Sequence, residues 1–306
     1  MQNIKYILLQ KLSSQLKESE KHYNESKQFK LIRVLKRLFR KNFIYKRLLF
    51  FLVPKIFKEK VFKAQIFWED DFYIYIPDKG VLPIYYWGVL VETEIGLTRF
   101  LIKNLKKNDI FYDMGANYGF YSMLASKIGC KEIHAFEPNN KIFALLEKNK
   151  SRKNNIFYNN IALSDKNQKI TFYNACKGWF SGVSSTKNND VIRKMGYSIE
   201  KIQSTTLSDY LSKHHAPTFV KIDVEGSEYE VVKGGKNFFL HNSPIICLEV
   251  WREDNKNHIK ALKLFEQFGY HLYSLNKHGN IKLIKYSDCA NSISIEYQND
   301  NFILKK

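Results

Sequence analysis

No Cys-x-x-Cys pair occurs in this chain, and its four cysteines, Cys130, Cys176, Cys247 and Cys289, stand far apart with no histidine at zinc-site spacing. That argues against a structural zinc cluster and a disulfide framework, and leaves reduced thiols in a cytoplasmic protein. Cys247 lies inside an apolar run and is expected in the core. The apolar run within Tyr45–Pro54 is six residues long, far too short to span a bilayer. Met1 to Gln10 holds a short apolar stretch with no small-residue cleavage site after it, so no secretory signal is expected. There is no internal repeat. Acid is also scarce at the N-terminus: residues 1–65 hold 17 Lys or Arg against 4 Asp or Glu.

That scarcity concentrates the positive charge. Of the formal net charge of +19, residues 1–65 carry +13 and the remaining 241 residues only +6. With 44% hydrophobic and 15% aromatic residues over 306 positions, the chain can bury a full core and has room for one large domain and an extension. The expected organisation is a basic, amphipathic, helical extension over 1–65 and a globular domain over 66–306. Ile4, Leu8, Leu12 and Leu16 recur at four-residue steps, followed by a polar interval over Lys17–Lys27. In Leu31–Lys41, the cations Arg33, Lys36, Arg37, Arg40 and Lys41 fall in an arc of about 140°, with Leu31, Ile32, Val34, Leu35, Leu38 and Phe39 opposite. This is the pattern of a basic interfacial helix. Two readings stay open: residues 31–53 meet an anionic membrane surface, making the protein peripheral on its cytoplasmic face, or the apolar stripe packs on the rest of the protein or a second subunit.

Ile110, Phe111 and Tyr112 read as a buried strand, and Tyr118–Ile128 as a helix with Phe120, Leu124 and Ile128 on one face. Between them, Asp113, Gly115, Asn117 and Gly119 form a turn of acidic and small residues, where an open α/β sheet binds its ligand. Lys131–Pro138 is a second short strand ending in Glu137, a carboxylate placed to accept both hydroxyls of a ribose. A dinucleotide fingerprint would need Gly-x-Gly-x-x-Gly; from Gly115 those positions hold Gly115, Asn117 and Phe120, so it fails. Asp113 would repel a pyrophosphate but suits the cationic end of S-adenosylmethionine. The expected cofactor-binding set is Asp113, Gly115, Asn117, Gly119, Glu137 and Asp223.

Three segments carry a family likeness: Asp113–Ser122, Thr206-Leu-Ser-Asp-Tyr-Leu211, and Phe219-Val-Lys-Ile-Asp-Val-Glu-Gly-Ser-Glu228. The chain resembles the FkbM-type S-adenosylmethionine-dependent methyltransferases over about residues 85–275, the last segment being the most specific. The resemblance implies the class I methyltransferase fold, and methylation of a hydroxyl on a sugar or natural product. The pattern agrees: strand and helix alternate from Leu97 to Phe268, with strands expected at 156–163, 169–174, 218–223 and 245–250 and helices at 139–152, 206–213, 227–240 and 255–268. Such alternation gives an α/β, Rossmann-like fold, a mostly parallel twisted sheet with helices on both faces and a cofactor core over about 105–275. Tyr270–Leu275, Ile281–Ile284 and Ser292–Tyr297 close it as strands, with the antiparallel C-terminal edge that the resemblance implies.

Chemistry is expected where the carboxyl ends of the central strands converge. One strand ends in Asp223, followed by Glu225 and Glu228; the next ends in Glu249. Methyl transfer to an alcohol requires the hydroxyl proton to be accepted, so Asp223, Glu225 or Glu249 qualifies as general base. Alternatively, Asp223 and Glu249 hold Mg²⁺, which orients the hydroxyl and lowers its pKa. The structural alternatives are that Glu228 only starts a helix and that Lys221 pairs with Glu225. In Gly178–Thr186, Trp179 offers a face for a sugar ring and Ser184 a polar partner; with Glu228 they form the expected substrate set. A nucleic-acid methyltransferase gripping phosphates through the extension is the alternative of another class. Base methylation usually uses an Asn/Asp-Pro-Pro-aromatic element, and Ile222-Asp-Val-Glu-Gly226 stands in its place. A non-catalytic membrane scaffold is the third, opposed by the intact acids and glycines.

Overall fold

The computed structural model describes residues 2–27, 61–75, 78, 80–90, 92–150, 153–175, 184–187, 190–251, 255–289 and 299–306. The basic stretch 31–41, the run 45–54, Trp179 and the strand expected at 292–297 lie outside these residues. Contacts divide the chain into two compact units, one over residues 2–91 and one built from residue 92 onward. The boundary expected at 65/66 falls within the first unit, at the edge of a paired strand.

In the first unit, α1 (Gln2–Lys27) runs unbroken through the polar interval, and Leu8 and Leu12 of its apolar stripe are buried. A hairpin follows, β1 (Val61–Gln65) pairing antiparallel with β2 (Asp71–Tyr75). Alternation in β2 buries Phe72 and Ile74. Pro83 stands in the first turn of α2 (Leu82–Trp87), where its missing N–H costs nothing, and Gly88 closes the helix in the left-handed conformation.

The second unit opens with α3 (Glu92–Asn104), β3 (Ile110–Met114), α4 (Phe120–Ile128), β4 (Glu132–Phe136), α5 (Asn140–Lys148) and β5 (Ile156–Asn159). It continues through β6 (Ala162–Ser164), β7 (Gln168–Ala175), α6 (Asp190–Met195), β8 (Tyr197–Thr206) and α7 (Leu207–Leu211) to β9 (Phe219–Ile222). The remaining elements are α8 (Glu228–Gly234), α9 (Lys236–His241), β10 (Ile245–Trp251), α10 (Asn255–Gln267), β11 (His271–Leu275), β12 (Ile281–Ile284) and β13 (Asn299–Lys305). The eight-stranded sheet has the order β12-β11-β13-β10-β9-β3-β4-β5. From β10 to β5 every pairing is parallel, and β13, β11 and β12 add antiparallel ladders. β3 and β9 are buried at every position, as parallel strands covered on both faces must be. Tyr112, Met114, Ile222, Leu248 and Phe265 belong to one continuous core cluster.

Three details depart from expectation. The single strand expected over 156–163 is broken at Asn160–Ile161, sending β5 to the main sheet and β6 to a small sheet of order β6-β8-β7. β8 was not anticipated: it pairs along all of β7, but half of its side chains are exposed and no regular alternation marks it. The helix expected over 227–240 is split at Gly235, where a Cβ would lie 2.6 Å from Leu207 Cδ2 and 2.9 Å from Phe239 Cε2.

Candidate active site

The turn after β3 is shaped by what surrounds it. Gly115 has φ +80°, and a Cβ there would stand 1.7 Å from the Asp223 carbonyl oxygen, so glycine is required on steric and conformational grounds alike. Gly119, at φ +88°, starts α4, and a Cβ would lie 2.5 Å from Leu146 Cδ1. Asp223 N–H donates to the Met114 carbonyl at 3.0 Å, so the loop after β9 is tied to the turn after β3.

A cleft open to solvent lies over these strand ends. Gly115, Asn117, Glu137, Asp223 and Glu225 line it, together with Ser184, whose Oγ accepts from Ala175 N–H at 3.1 Å. Ile161, Leu163 and Phe172 form an apolar wall. Glu137 accepts the Asn117 N–H at Oε2 (2.9 Å) and the Asn139 N–H at Oε1 (2.8 Å), and Asn139 in turn caps α5. Burial pushes its carboxyl up to about 7, with those two N–H donors opposing the rise. Asn117 Oδ1 is buried without a hydrogen-bond partner, an acceptor available beside the cleft.

Asp113 does not reach the cleft. It is fully buried, its Oδ2 accepts the Ser122 hydroxyl at 2.6 Å, and its Oδ1 lies 4.0 Å from Lys221 Nζ. From beneath the turn, Asp113 thus anchors the strand end to α4 and to Lys221. Lys221 pairs with Asp223, Nζ to Oδ2 at 2.7 Å, and not with Glu225. Burial acts to raise Asp223, but the Lys221 ammonium and a hydrogen bond from Glu249 outweigh it and hold the carboxyl below the usual range. Glu249 is pushed well above the usual range by burial and the neighbouring Asp223 charge, and Glu225 by burial and the charges of Asp223 and Glu228. Oxygens of Asp223, Glu225 and Glu249 lie within 4.8 Å of one another, a group that could hold a metal ion.

Glu228, expected to touch substrate, is turned away from the cleft and fully buried. Its Oε1 accepts the N–H groups of Val224 (3.1 Å) and Gly226 (3.2 Å), and its Oε2 lies 3.0 Å from His258 Nε2. It thereby braces the loop in which Glu225 has a left-handed φ of +53°. A further network escaped the sequence reading. Glu94, on α3, accepts the Tyr121 hydroxyl and the Asn301 amide (3.1 Å), and Lys221 Nζ stands 5.5 Å from the centre of the Tyr121 ring. The available signal was a carboxylate at helical spacing from Leu97 and Leu101, on the buried stripe of α3.

Residues 113–272 match the Methyltransferase FkbM domain. The hexuronic acid methyltransferase AglP of Haloferax volcanii is 28% identical over 145 residues, 47% of this chain and 57% of that protein. Among solved structures, the methyltransferase FkbM from Methylobacillus flagellatus is 13% identical with a TM-score of 0.42, over 65% of this chain and 44% of the other. Aeropyrum pernix fibrillarin, solved with natively bound S-adenosyl-L-methionine, is 13% identical with a TM-score of 0.37, over 82% and 84%. This chain thus spans 57% of the curated relative and 44% of the first of these structures.

Proposed function

The chain belongs to the FkbM methyltransferase family, and from that premise we propose that it transfers a methyl group from S-adenosylmethionine to a hydroxyl of a sugar or glycan, with Asp223 as general base. The observation that carries this reading is the meeting of two loops in one cleft, Gly115–Asn117 with Glu137 on one side and Asp223 with Glu225 on the other. The first side fits S-adenosylmethionine: Glu137 has lone pairs for ribose hydroxyls, the orphaned Asn117 Oδ1 accepts a further donor, and an acidic lining suits a sulfonium. When bound, it supplies a methyl group activated by positive charge on sulfur. Asp223, kept ionised by Lys221, takes the proton of the acceptor hydroxyl. Glu249, neutral, donates to Asp223 and fixes its orientation. Ser184 and the wall at Leu163 and Phe172 then receive the acceptor. A sugar acceptor is supported by the name of the 28% identical relative.

Asp223→Asn is expected to abolish turnover, with calorimetry showing S-adenosylmethionine affinity nearly intact. The group formed by Asp223, Glu225 and Glu249 favours Mg²⁺ as a second reading of the same residues. If excess EDTA leaves the rate unchanged, that reading is wrong and the plain general base stands. We further propose that the basic extension docks the protein on an anionic membrane surface near a lipid-linked acceptor.

A further inference from the structure

The loop after β9 concentrates main-chain strain at one residue. Glu225 has φ +53°, a conformation that glycine adopts freely and asparagine tolerates; the other described non-glycine residues at positive φ in the second unit are Asn117 and Asn154. Glycine itself stands next to it, at Gly226 with φ +94°. The strained conformation is held from three sides. Glu228 Oε1 accepts the Val224 and Gly226 N–H groups, the buried Ser185 hydroxyl donates to the Glu225 carbonyl at 2.5 Å, and Asn257 Nδ2 donates to the Gly226 carbonyl at 2.8 Å. Every one of these contacts is made to main chain or by a neighbour, so the frame would accept glycine at position 225 without strain. A side chain kept there against that strain, and beside the like charges of Asp223 and Glu228, points to a role for the carboxyl group itself.

Glu225 lines the cleft together with Asp223, and oxygens of the two lie within 4.8 Å of each other. Two carboxyl groups so placed can each take one hydroxyl of a gauche pair on adjacent carbons of a sugar ring, whose oxygens stand about a hydrogen-bond length apart. Asp223 takes the hydroxyl that loses its proton as its oxygen bonds the methyl carbon, while the S–C bond breaks and sulfur keeps the pair as a thioether. Resting on the glycan reading above, we propose that Glu225 is a specificity-determining residue that binds the hydroxyl next to the one methylated, so that the acceptor is a sugar with a free vicinal diol at the transfer position. A sugar whose neighbouring carbons are deoxygenated or glycosidically linked lacks the second contact and is a poor acceptor.

The test uses the full-length protein, methyl-labelled S-adenosylmethionine, and the glycolipid and polysaccharide fraction of source cells in which this gene is disrupted. Permethylation of the product with deuterated methyl iodide, followed by hydrolysis, marks every hydroxyl that was free. A deuterated methyl on a carbon next to the enzymic one is expected; deoxy or linked carbons on both sides overturn the inference while leaving glycan methylation in place. Glu225→Gly should unfold at the same denaturant concentration as the wild type or a higher one, keep its affinity for S-adenosylmethionine in calorimetry, and lose on the order of a hundredfold in kcat/KM on the acceptor fraction. Glu225→Gln, whose amide still hydrogen-bonds a hydroxyl, should stay within about tenfold of the wild type. Full transfer by the Gly variant shows that the strain serves no acceptor contact, and weakened S-adenosylmethionine binding in it assigns Glu225 to the donor; either overturns the inference. So does a Gly variant less stable than the wild type, or a Gln variant as slow as the Gly one, which would make Glu225 a base or a metal ligand. Label in no sugar with the wild-type protein overturns the glycan reading itself.

Discussion

Glu137 combines two demands that oppose each other, burial that favours its neutral form and the proposed ribose contact that favours its charged one. With its carboxyl raised to about 7, S-adenosylmethionine affinity should be full above that pH and fall by up to about tenfold per unit below it. The sign reverses for the free protein. A folded pKa above the ordinary 4.5 means that Glu137 contributes stability while protonated, and loses it as pH rises from about 4.5 through about 7. Thermal unfolding across that window should show this loss, and Glu137→Gln should flatten it. Glu137→Ala is expected to weaken cofactor binding by about 1.5 to 3 kcal/mol through lost charge-assisted hydrogen bonds; unchanged affinity in calorimetry would remove the ribose assignment. The position of Glu137 was legible in the sequence because a strand end fixes where its residue lies. The direction of Glu228 and Asp113 was not, because a strand or helix terminus does not say whether a carboxylate faces the cleft or a buried lysine or histidine.

At the scale of elements, the loop between β9 and α8 is held by one side chain. Glu228 takes two of its N–H groups and faces His258 in a pair that is 1% exposed on both sides. Glu228→Ala leaves those donors and a buried imidazole without their partner, and should lower stability by about 3 to 5 kcal/mol in chemical denaturation. Glu228→Gln keeps an acceptor for both N–H groups and should restore most of kcat; equal damage from Ala and Gln would show that loop bracing is not its role. Strands and helices that alternate around a buried sheet were legible, since β3, β4, β9 and β10 are apolar runs punctuated by turns. β8 was hidden because its partner strand, and not its own side-chain pattern, determines it. The break between β5 and β6 was hidden because it falls at Asn160–Ile161, where no glycine or proline marks it.

For the whole molecule, the charge separation is the feature that the chemistry leaves unused. Residues 1–65 carry +13, and among the described residues no helix is long and apolar enough to cross a membrane. If the extension docks on a bilayer, the full-length protein should float with anionic vesicles at low salt, each Lys or Arg near the surface contributing about 1 kcal/mol. Removing residues 1–65 should abolish flotation. Absence of association even at low salt would sink the proposal, while loss above about 0.5 M salt would show electrostatics dominating apolar insertion.

The close approach of Gly115 to the Asp223 carbonyl, and the Asp223 N–H bond to Met114, make the donor loop and the base loop one mechanical part. If Asp223 is the base, the spacing between the departing methyl and its proton acceptor is therefore set largely by main chain. Acceptor choice, on the proposed reading, rests by contrast on a wall of side chains at Ile161, Leu163 and Phe172. A designer seeking a new sugar could recut that wall freely and leave the timing of bond-making untouched.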